Sequence, residues 1–253
     1  MPDFYDVDKT TIKNLQNHRT IREFEDTPID PTVLQSLFEA MNRTASANGL
    51  QQFSVIRVKD KALRKGLADV AAQEYLARVP ELVIFIVDQY RNREIARSTG
   101  QEVPYISTID AFFSGFSDAL LAAQTLNTAV EAMGMGAVYF GSILNDTREV
   151  IRLLGLPQLT FPAVGLGFGH IGQNPTLKPR MPLEEKMFTD KYAGLEIDLE
   201  ALSHYDEAMT EYYDLRDKNR RVDSFSKQVV KKFSAANETR LRWLDVIREQ
   251  GFA

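Results

Sequence analysis

The sequence is poor in residues on which many kinds of site depend: among 253 residues there are no cysteines, one tryptophan and three histidines. The absence of cysteine excludes disulfides, thiolate nucleophiles, iron–sulfur clusters and cysteine zinc sites. His18, His170 and His204 are too scattered along the chain to predict a metal site. Because no G-x-S-x-G motif accompanies them, a hydrolytic triad has little support either.

Long apolar runs and an excess of positive charge are also missing. The longest strongly apolar run, LVIFIV at residues 82–87, is far shorter than the ~20 residues that span a bilayer. The N-terminal MPDFYDVDKT is polar and acidic, unlike a signal peptide. A formal net charge of -5 argues against a nucleic-acid partner, which requires a broad cationic surface. We therefore expect a cytoplasmic protein with no membrane or nucleic-acid partner.

Hydrophobic periodicity predicts an α+β fold, with a mixed central β-sheet flanked by helices. LVIFIV is typical of a central strand buried on both faces, and the apolar, proline-free segment 110–133 is typical of a buried helix. Helices are predicted at residues 32–43, 61–77, 110–133 and 147–154, and strands at 52–58, 82–87, 137–140 and 161–168.

The character of the chain changes near residue 170. HIGQNPTLKPRMPLEEKMFTDKY carries three prolines and no clear periodicity, which predicts an extended arm. Amphipathic helices follow at about 199–213 and 224–249, joined by the basic RDKNRR. Arms and terminal helices of this kind often wrap a second subunit, which is consistent with a dimer. The predicted division is a core at 1–170 and an arm with a helical extension at 171–253.

Two glycine-rich stretches, GMGAVYFG and VGLGFGH, resemble a dinucleotide-binding fingerprint only in part. Tyr139 and His170 stand where the third glycine of G-x-G-x-x-G is required, and the second stretch leads into the arm instead of a helix. These glycines more simply end a helix or permit close backbone approach. Gly141, directly after a strand, would expose its backbone N–H to a flat cofactor.

Basic residues form three clusters that suit a small anion. The clusters are His18, Arg19 and Arg22; Lys178 and Arg180; and Arg216, Arg220 and Arg221. Arginine's planar fork binds phosphate in a bidentate manner, and two clusters that converge would bind one phosphate from different directions. Each cluster is equally consistent with a solvated surface patch. The small polar loop ASANGLQQF likewise suits either a ligand contact or a plain connection between helix and strand.

Several motifs occur together in an order that resembles a known family. They are HRTIREF followed by PI at 28–29, TASANGLQQFSVIRV, Gln73 before LVIFIV, GMGAVYFGS, LKPRMP and YYDLRDKNRR. The ordered set resembles the nitroreductase superfamily, and most closely its NADPH-dependent, oxygen-insensitive nitroreductase and flavin reductase branch. The resemblance spans nearly the whole chain. It implies a nitroreductase-like homodimer with one noncovalent FMN at each of two sites in the subunit interface.

The resemblance also implies a role for each matched residue. His18, Arg19 and Thr20 would hold the FMN phosphate and ribityl chain, with Lys178 and Arg180 closing from the arm. The implied contacts to the flavin ring are Arg22 at its polar edge, Ser46, Asn48, Gln73, Tyr139, Phe140, Gly141 and Ser142. Two positions depart from the family: Thr20 replaces the usual serine and keeps the hydroxyl, whereas Ser142 adds a side chain where a second glycine is common.

The activity implied is an FMN-dependent NADPH oxidoreductase that transfers two electrons to nitroaromatics, quinones or flavins by a ping-pong mechanism. No catalytic side chain is implied, because the chemistry takes place at N5 of FMN. Arg216 and Arg221 would bind the 2′-phosphate of NADPH, with Arg220 as their neighbour. The alternatives are a flavin reductase that supplies reduced FMN to a partner, a noncatalytic flavin-binding protein, and a phosphosugar- or nucleotide-binding protein without flavin.

Overall fold

A computed structural model describes residues 10–192, 199–216 and 223–253. The chain forms two compact units. The first contains the described residues up to Asn174 together with Asn237–Ala253, and the second contains those of Pro175–Ala236. The first unit carries the central sheet with helices packed against it, which confirms the α+β class predicted from the sequence.

The sheet is small and antiparallel. Its strands are β1 (Phe53–Arg57), β2 (Glu81–Asp88), β3 (Gly136–Phe140) and β4 (Thr160–Gly169), in the order β1-β2-β4-β3. All three pairings between strands are antiparallel, where the sequence suggested a mixed sheet. In the described ranges, parallel pairing is confined to the isolated bridge between Thr20 and Ala137.

The strand β2 lies inside the sheet and divides the core. Val83 and Phe85 belong to one buried cluster, whereas Leu82, Ile84 and Ile86 belong to another. This alternation follows from the period of two in a strand, which sends successive side chains to opposite faces. The run LVIFIV is apolar throughout because both faces are covered by helices.

Helices of the first unit supply those covers. The helices of both units are, in chain order, α1 (Thr10–Gln16), α2 (Pro31–Asn42), α3 (Lys61–Ala71), α4 (Gln89–Ser98), α5 (Ile109–Ala132), α6 (Thr147–Leu154), α7 (Leu199–Arg216), α8 (Phe225–Ser234), α9 (Glu238–Leu241) and α10 (Trp243–Glu249). The start of α2 is set locally: Asp30 Oδ1 accepts hydrogen bonds from the Thr32 and Val33 amides, and Pro31 is at the first helical position. The long helix α5 buries small residues, Ala119, Ala122 and Ala123, against the sheet.

The predicted single helix over 224–249 is wrong, because the structure breaks it into α8, α9 and α10. Ala235 takes an extended conformation after α8. The Asn237 side chain then accepts hydrogen bonds from the Thr239 and Arg240 amides and begins α9. Asparagine favours such caps because its short side chain satisfies the free amides of a first turn. An amphipathic pattern that continues on both sides of a cap does not reveal the break.

The C-terminal residues return to the first unit. Val246 and Phe252 are buried, and the Phe252 ring lies 5.2 Å from the ring of Phe112, measured between centroids. The Ala253 amide donates to the Ser107 carbonyl at 2.8 Å. Residues at the end of the chain are therefore part of the main core. The functional division into a core at 1–170 and an extension at 171–253 stays a prediction.

The second unit contains the arm and two of the helices. Asp206 on α7 accepts hydrogen bonds from the Ser226 amide at 2.9 Å and the Ser226 hydroxyl at 2.5 Å. The rings of Tyr205 and Phe225 lie 5.1 Å apart. These contacts hold α7 against the start of α8. None of the helices within the described ranges is long and apolar enough to cross a membrane.

Candidate functional site

The HRTIREF segment lies along the edge of the sheet. Thr20 forms the parallel bridge with Ala137, and the Ile21 amide donates to the Ala137 carbonyl at 2.9 Å. Farther along, the Glu25 amide donates to the His170 carbonyl at 3.0 Å. The segment thus runs from β3 to the end of β4, and its N-terminal cations lie next to the edge strand.

A glycine in β3 makes this close approach possible. A Cβ atom on Gly136 would collide with the side chain of Ile21. Gly134 has a different role, because it takes a left-handed conformation, with φ of 72°, just after α5 ends. Gly134 therefore ends the helix and Gly136 permits close packing, which are the two roles that the sequence suggested for the glycines of GMG.

His18 and Arg19 occupy a polar, partly buried site beside α5. Nδ1 of His18 lies 2.5 Å from Oε1 of Glu131, and Nη1 of Arg19 donates to the Asn17 carbonyl at 2.9 Å. Nε of Arg19 and Oε2 of Glu131 are both buried and have no hydrogen-bond partner in the described structure. An unpaired buried guanidinium N–H is costly unless it binds an acceptor. The arrangement therefore fits an anion at Arg19.

The strand β3 ends at an open position. A Cβ atom on Gly141 would meet nothing within 4 Å. Next to it, the Ser142 hydroxyl donates to Oε1 of Gln73 at 2.7 Å, so two residues separated by 69 positions meet. Phe140 is fully buried in the core and anchors the strand. The backbone at Gly141 is thus uncovered, and the side-chain amide of Gln73 is held in a defined orientation by the neighbouring Ser142.

Tyr139 precedes this position and is held by α5. Its hydroxyl donates to Oε1 of Gln124 at 3.2 Å. Burial raises the pKa of Tyr139, and the negative charge of Glu131 raises it further. Tyrosine is already neutral at physiological pH, and the shift keeps Tyr139 so at higher pH; it offers a ligand a hydrogen-bonding group without charge.

The polar loop at residues 46–52 is fixed to α5. The Ser46 hydroxyl donates to Oδ2 of Asp118 at 2.7 Å, while Asn48 is exposed and has a left-handed conformation with φ of 53°. Asp118 and Glu131 were not predicted from the sequence. Each is an acidic residue in the mostly apolar helix α5, and an acidic side chain in such a helix is the signal that could have found them.

The remaining predicted residues lie elsewhere. Arg22 is half-buried in the first unit. In the second unit, Nη1 of Arg180 donates to the carbonyls of Lys178 and Pro179 at 3.1 Å and 3.3 Å. Arg216 is the last residue of α7. Arg220 and Arg221 lie outside the described residues, and the convergence of Lys178 and Arg180 on the phosphate stays a prediction.

Fold and site together define a class: an α+β protein whose sheet-bearing unit has an exposed glycine at the end of a strand, a buried arginine Nε–H without a partner in the described structure, and a polar loop fixed to a buried helix. The comparisons specify the family. A model described as "Nitroreductase family" matches residues 15–170, and one described as "Nitroreductase family, C-terminal domain" matches residues 178–253. The chain therefore belongs to the nitroreductase family, a family of enzymes, as the sequence predicted.

Relatives of full length agree with this assignment. The chain is 33% identical to the oxygen-insensitive NADPH nitroreductase of Salmonella typhimurium, over 96% of this chain and 98% of that protein. Nitroreductase A from Vibrio parahaemolyticus has 31% identity and a TM-score of 0.86, covering 98% of this chain and 99% of that one. The NADPH:FMN oxidoreductase of Vibrio harveyi, solved with NAD+, has 30% identity and a TM-score of 0.85, covering 96% and 98%. The nitroreductase-like fold is thus confirmed.

Proposed function

We propose that this protein is an FMN-dependent NADPH oxidoreductase that passes two electrons to nitroaromatics, quinones or flavins by a ping-pong mechanism. One observation carries the proposal. Thr20 of the HRTIREF segment is bridged to β3, and Gln73 is bonded to Ser142 beside the open backbone of Gly141 at the end of the same strand. The names of the relatives, an NADPH nitroreductase and an NADPH:FMN oxidoreductase, support the same chemistry.

The residues present fit the phosphate end of FMN. Arg19 offers a buried Nε–H that has no partner among the described residues. His18 supplies a second donor, oriented by its contact with Glu131, and Thr20 keeps a hydroxyl next to β3. A phosphate needs several donors from different directions, and charged donors form the stronger bonds. Lys178 and Arg180 complete this set in the proposal.

The residues at the strand end fit the flat part of the cofactor. Gly141 leaves room for a ring, and Gln73 and Ser142 place polar groups beside it. Asn48 projects from its loop as an exposed amide, and Ser46 fixes that loop. FMN held by these residues would supply the two-electron chemistry, with N5 as its hydride acceptor. The protein binds and orients the ring.

Charge near the ring tunes the reaction. Arg22 would place a fixed positive charge at the polar edge of the flavin, where negative charge develops on reduction. Tyr139 is a neutral phenol at physiological pH, and its raised pKa keeps it neutral over a still wider range, so it adds no opposing charge. The backbone of Phe140 would run along the ring while its buried side chain anchors β3.

The second unit would bind the electron donor. Arg216 ends α7, and Arg220 and Arg221 follow it in the sequence, outside the described residues. The contact between Asp206 and Ser226 holds α7 to the start of α8. Arg216 and Arg221 would bind the 2′-phosphate of NADPH. In this proposal residues 1–170 form the FMN-binding core and residues 171–253 the arm and NADPH-binding extension.

A homodimer is supported by an apolar stripe on α5. Ile109, Phe113, Leu120 and Leu121 are exposed by 40%, 61%, 42% and 46% on one side of a helix of 24 residues. An apolar surface of this kind commonly marks an interface with another chain. A second copy of the protein would cover it. The cytoplasmic location stays a prediction.

The test is spectroscopic. The purified protein, reconstituted with FMN, should show flavin absorbance in visible light that bleaches on anaerobic addition of NADPH, and more slowly with NADH. Colour that does not bleach would indicate a noncatalytic flavin-binding protein. No bound flavin and no NADPH oxidation would refute the proposal.

The acceptor is tested separately. Direct turnover of a nitroaromatic or quinone by the reduced protein is the expected result. If reduced FMN is instead released into solution faster than either acceptor is consumed, the protein is chiefly a flavin reductase for a partner enzyme.

A further inference from the structure

The loop at residues 46–52 has an unusual backbone. It joins α2 to β1 through a 3-10 turn at Ala47–Gly49. Asn48, Gly49 and Gln51 all have positive φ, of 53°, 69° and 48°. Residues other than glycine are disfavoured in this left-handed region, because their Cβ atom comes too close to the backbone carbonyl. Such a conformation persists only when surrounding contacts enforce it.

Asp118 on α5 supplies those contacts. It is 1% exposed, and its carboxylate accepts three hydrogen bonds from the loop. Oδ1 accepts from the Ala47 amide at 2.8 Å, and Oδ2 accepts from the Gln52 amide at 3.0 Å and from the Ser46 hydroxyl at 2.7 Å. One carboxylate therefore holds both ends of the loop. A buried charge requires such bonds, which makes the attachment strong.

Ser46 completes the anchor. While its hydroxyl donates to Asp118, its oxygen accepts a hydrogen bond from the Gln51 amide at 2.7 Å. The hydroxyl proton is therefore engaged within the protein. Asn48, at the centre of the loop, has an exposed side chain.

We infer that Asp118 is a positioning residue for the flavin, and that Ser46 acts through Asp118 instead of donating to the ring. The inference rests on the proposed function. Asp118 fixes the left-handed loop so that the Asn48 side chain and the loop backbone face the cofactor. Loss of the carboxylate releases the loop, weakens FMN binding and changes the surroundings of the ring.

The experiment measures the Kd for FMN by fluorescence titration of apoprotein, together with the visible circular dichroism of the bound flavin. Asp118→Asn replaces one acceptor oxygen by an NH2 group that faces N–H donors. Losing one charge-assisted bond should raise the Kd roughly tenfold or more and alter the dichroism. Ser46→Ala should change both quantities in the same direction, by a smaller amount.

A double-mutant cycle separates the two possible roles of Ser46. If it acts through Asp118, the combined variant should raise the Kd by less than the product of the single effects, because the residues share one network. Independent, multiplicative effects would show that Ser46 contacts the flavin directly and would overturn that part of the inference.

Asp60→Ala is the stability control. Asp60 caps α3 by accepting from the Leu63 amide at 2.7 Å, so its loss should lower the melting temperature without changing the Kd for FMN. An Asp118→Asn protein that melts earlier yet keeps the wild-type Kd and dichroism would overturn the positioning role. If Asp118→Asn does not fold, Ser46→Ala decides alone: an unchanged Kd and dichroism overturn the inference. Wild-type protein that takes up no FMN overturns the proposed function and the inference with it.

Discussion

At the scale of single residues, the site is defined by which polar atoms are already paired. Nη1 of Arg19 donates to the Asn17 carbonyl, whereas its Nε is buried and has no partner in the described structure. Nδ1 of His18 lies 2.5 Å from Oε1 of Glu131, so one of its two ring nitrogens is already paired. Of the two residues, Arg19 is therefore the one with a buried, charged donor left to bind an anion.

Arg19 and Arg22 should have different functions. Arg19→Ala removes a phosphate donor and should raise the Kd for FMN roughly tenfold or more. Arg22→Ala should also shift the midpoint potential of bound FMN to a more negative value, since a positive charge near the ring favours reduction. Titration of apoprotein and anaerobic dye equilibration measure the two quantities. Arg43→Ala, at an exposed helix end, is the control; identical effects of Arg19→Ala and Arg22→Ala would contradict the division.

Ser142 is expected to orient Gln73. Its hydroxyl engages Oε1, which leaves the Gln73 NH2 group to donate to the ring. Ser142→Gly should retain FMN but shift its midpoint potential, because the amide is free to rotate. Ser142→Thr keeps the hydroxyl and should remain near the wild-type potential. A glycine variant with an unaltered potential and flavin spectrum would show that the pair has no influence on the ring.

The choice between NADPH and NADH should depend on Arg221. A charge-assisted contact with the 2′-phosphate contributes roughly 1.5 to 3 kcal/mol, which corresponds to a preference of about tenfold or more. Arg221→Ala should lower the ratio of kcat/KM for NADPH to that for NADH by this factor, in steady-state assays. Lys232→Ala, exposed on α8, should leave the ratio unchanged. An unaltered ratio in Arg221→Ala would show that this arginine does not bind the 2′-phosphate of NADPH.

At the scale of elements, α5 organises the first unit. It buries alanines and Leu126 against the sheet, and from the same helix Asp118 holds the polar loop and Glu131 contacts His18. One helix therefore links the core to two parts of the site. The helix α10 and the residues that follow it have a simpler role, because Val246, Ile247 and Phe252 belong to the buried cluster that contains Leu82, Ile84 and Ile86.

Two phenylalanines near the C-terminus test that role. Phe252 is 1% exposed and packs on Phe112, whereas Phe233 on α8 is 83% exposed. Phe252→Ala should lower the free energy of unfolding by about 3 to 5 kcal/mol, through lost burial and the cavity left behind. Phe233→Ala should change it by less than about 0.5 kcal/mol. Urea unfolding of both variants measures the difference; equal effects would mean that the C-terminus does not contribute to the core.

At the scale of the whole molecule, the proposed dimer depends on the apolar stripe of α5. Phe113→Asp places a carboxylate on a surface that is 61% exposed in the single chain, where it costs little. In a dimer the same charge would be buried without a partner, which is strongly unfavourable. Analytical ultracentrifugation should therefore show the variant shifted towards monomer. Ile95→Asp, 57% exposed on α4, should retain the dimer. A monomeric wild-type protein would remove the basis for this interface.

Much of the fold was predictable where the local sequence and the tertiary environment agree. LVIFIV is buried on both faces as expected, and the apolar segment near 110–133 became α5 with nearly the predicted ends. The break after α8 was not predictable from periodicity, because the apolar pattern continues beyond Asn237 and only the cap hydrogen bonds show where a new helix begins.

The sequence by itself determined the fold class, the family and the order of the motifs, since these depend on patterns read along the chain. Only the tertiary structure decided which distant groups meet: Gln73 with Ser142, Ser46 with Asp118, and His18 with Glu131. The physical reason is that a hydrogen bond depends on distance and direction in space. The spacing of two residues along the chain does not predict that distance or direction. The burial of an apolar strand or helix, in contrast, is predicted by its own composition.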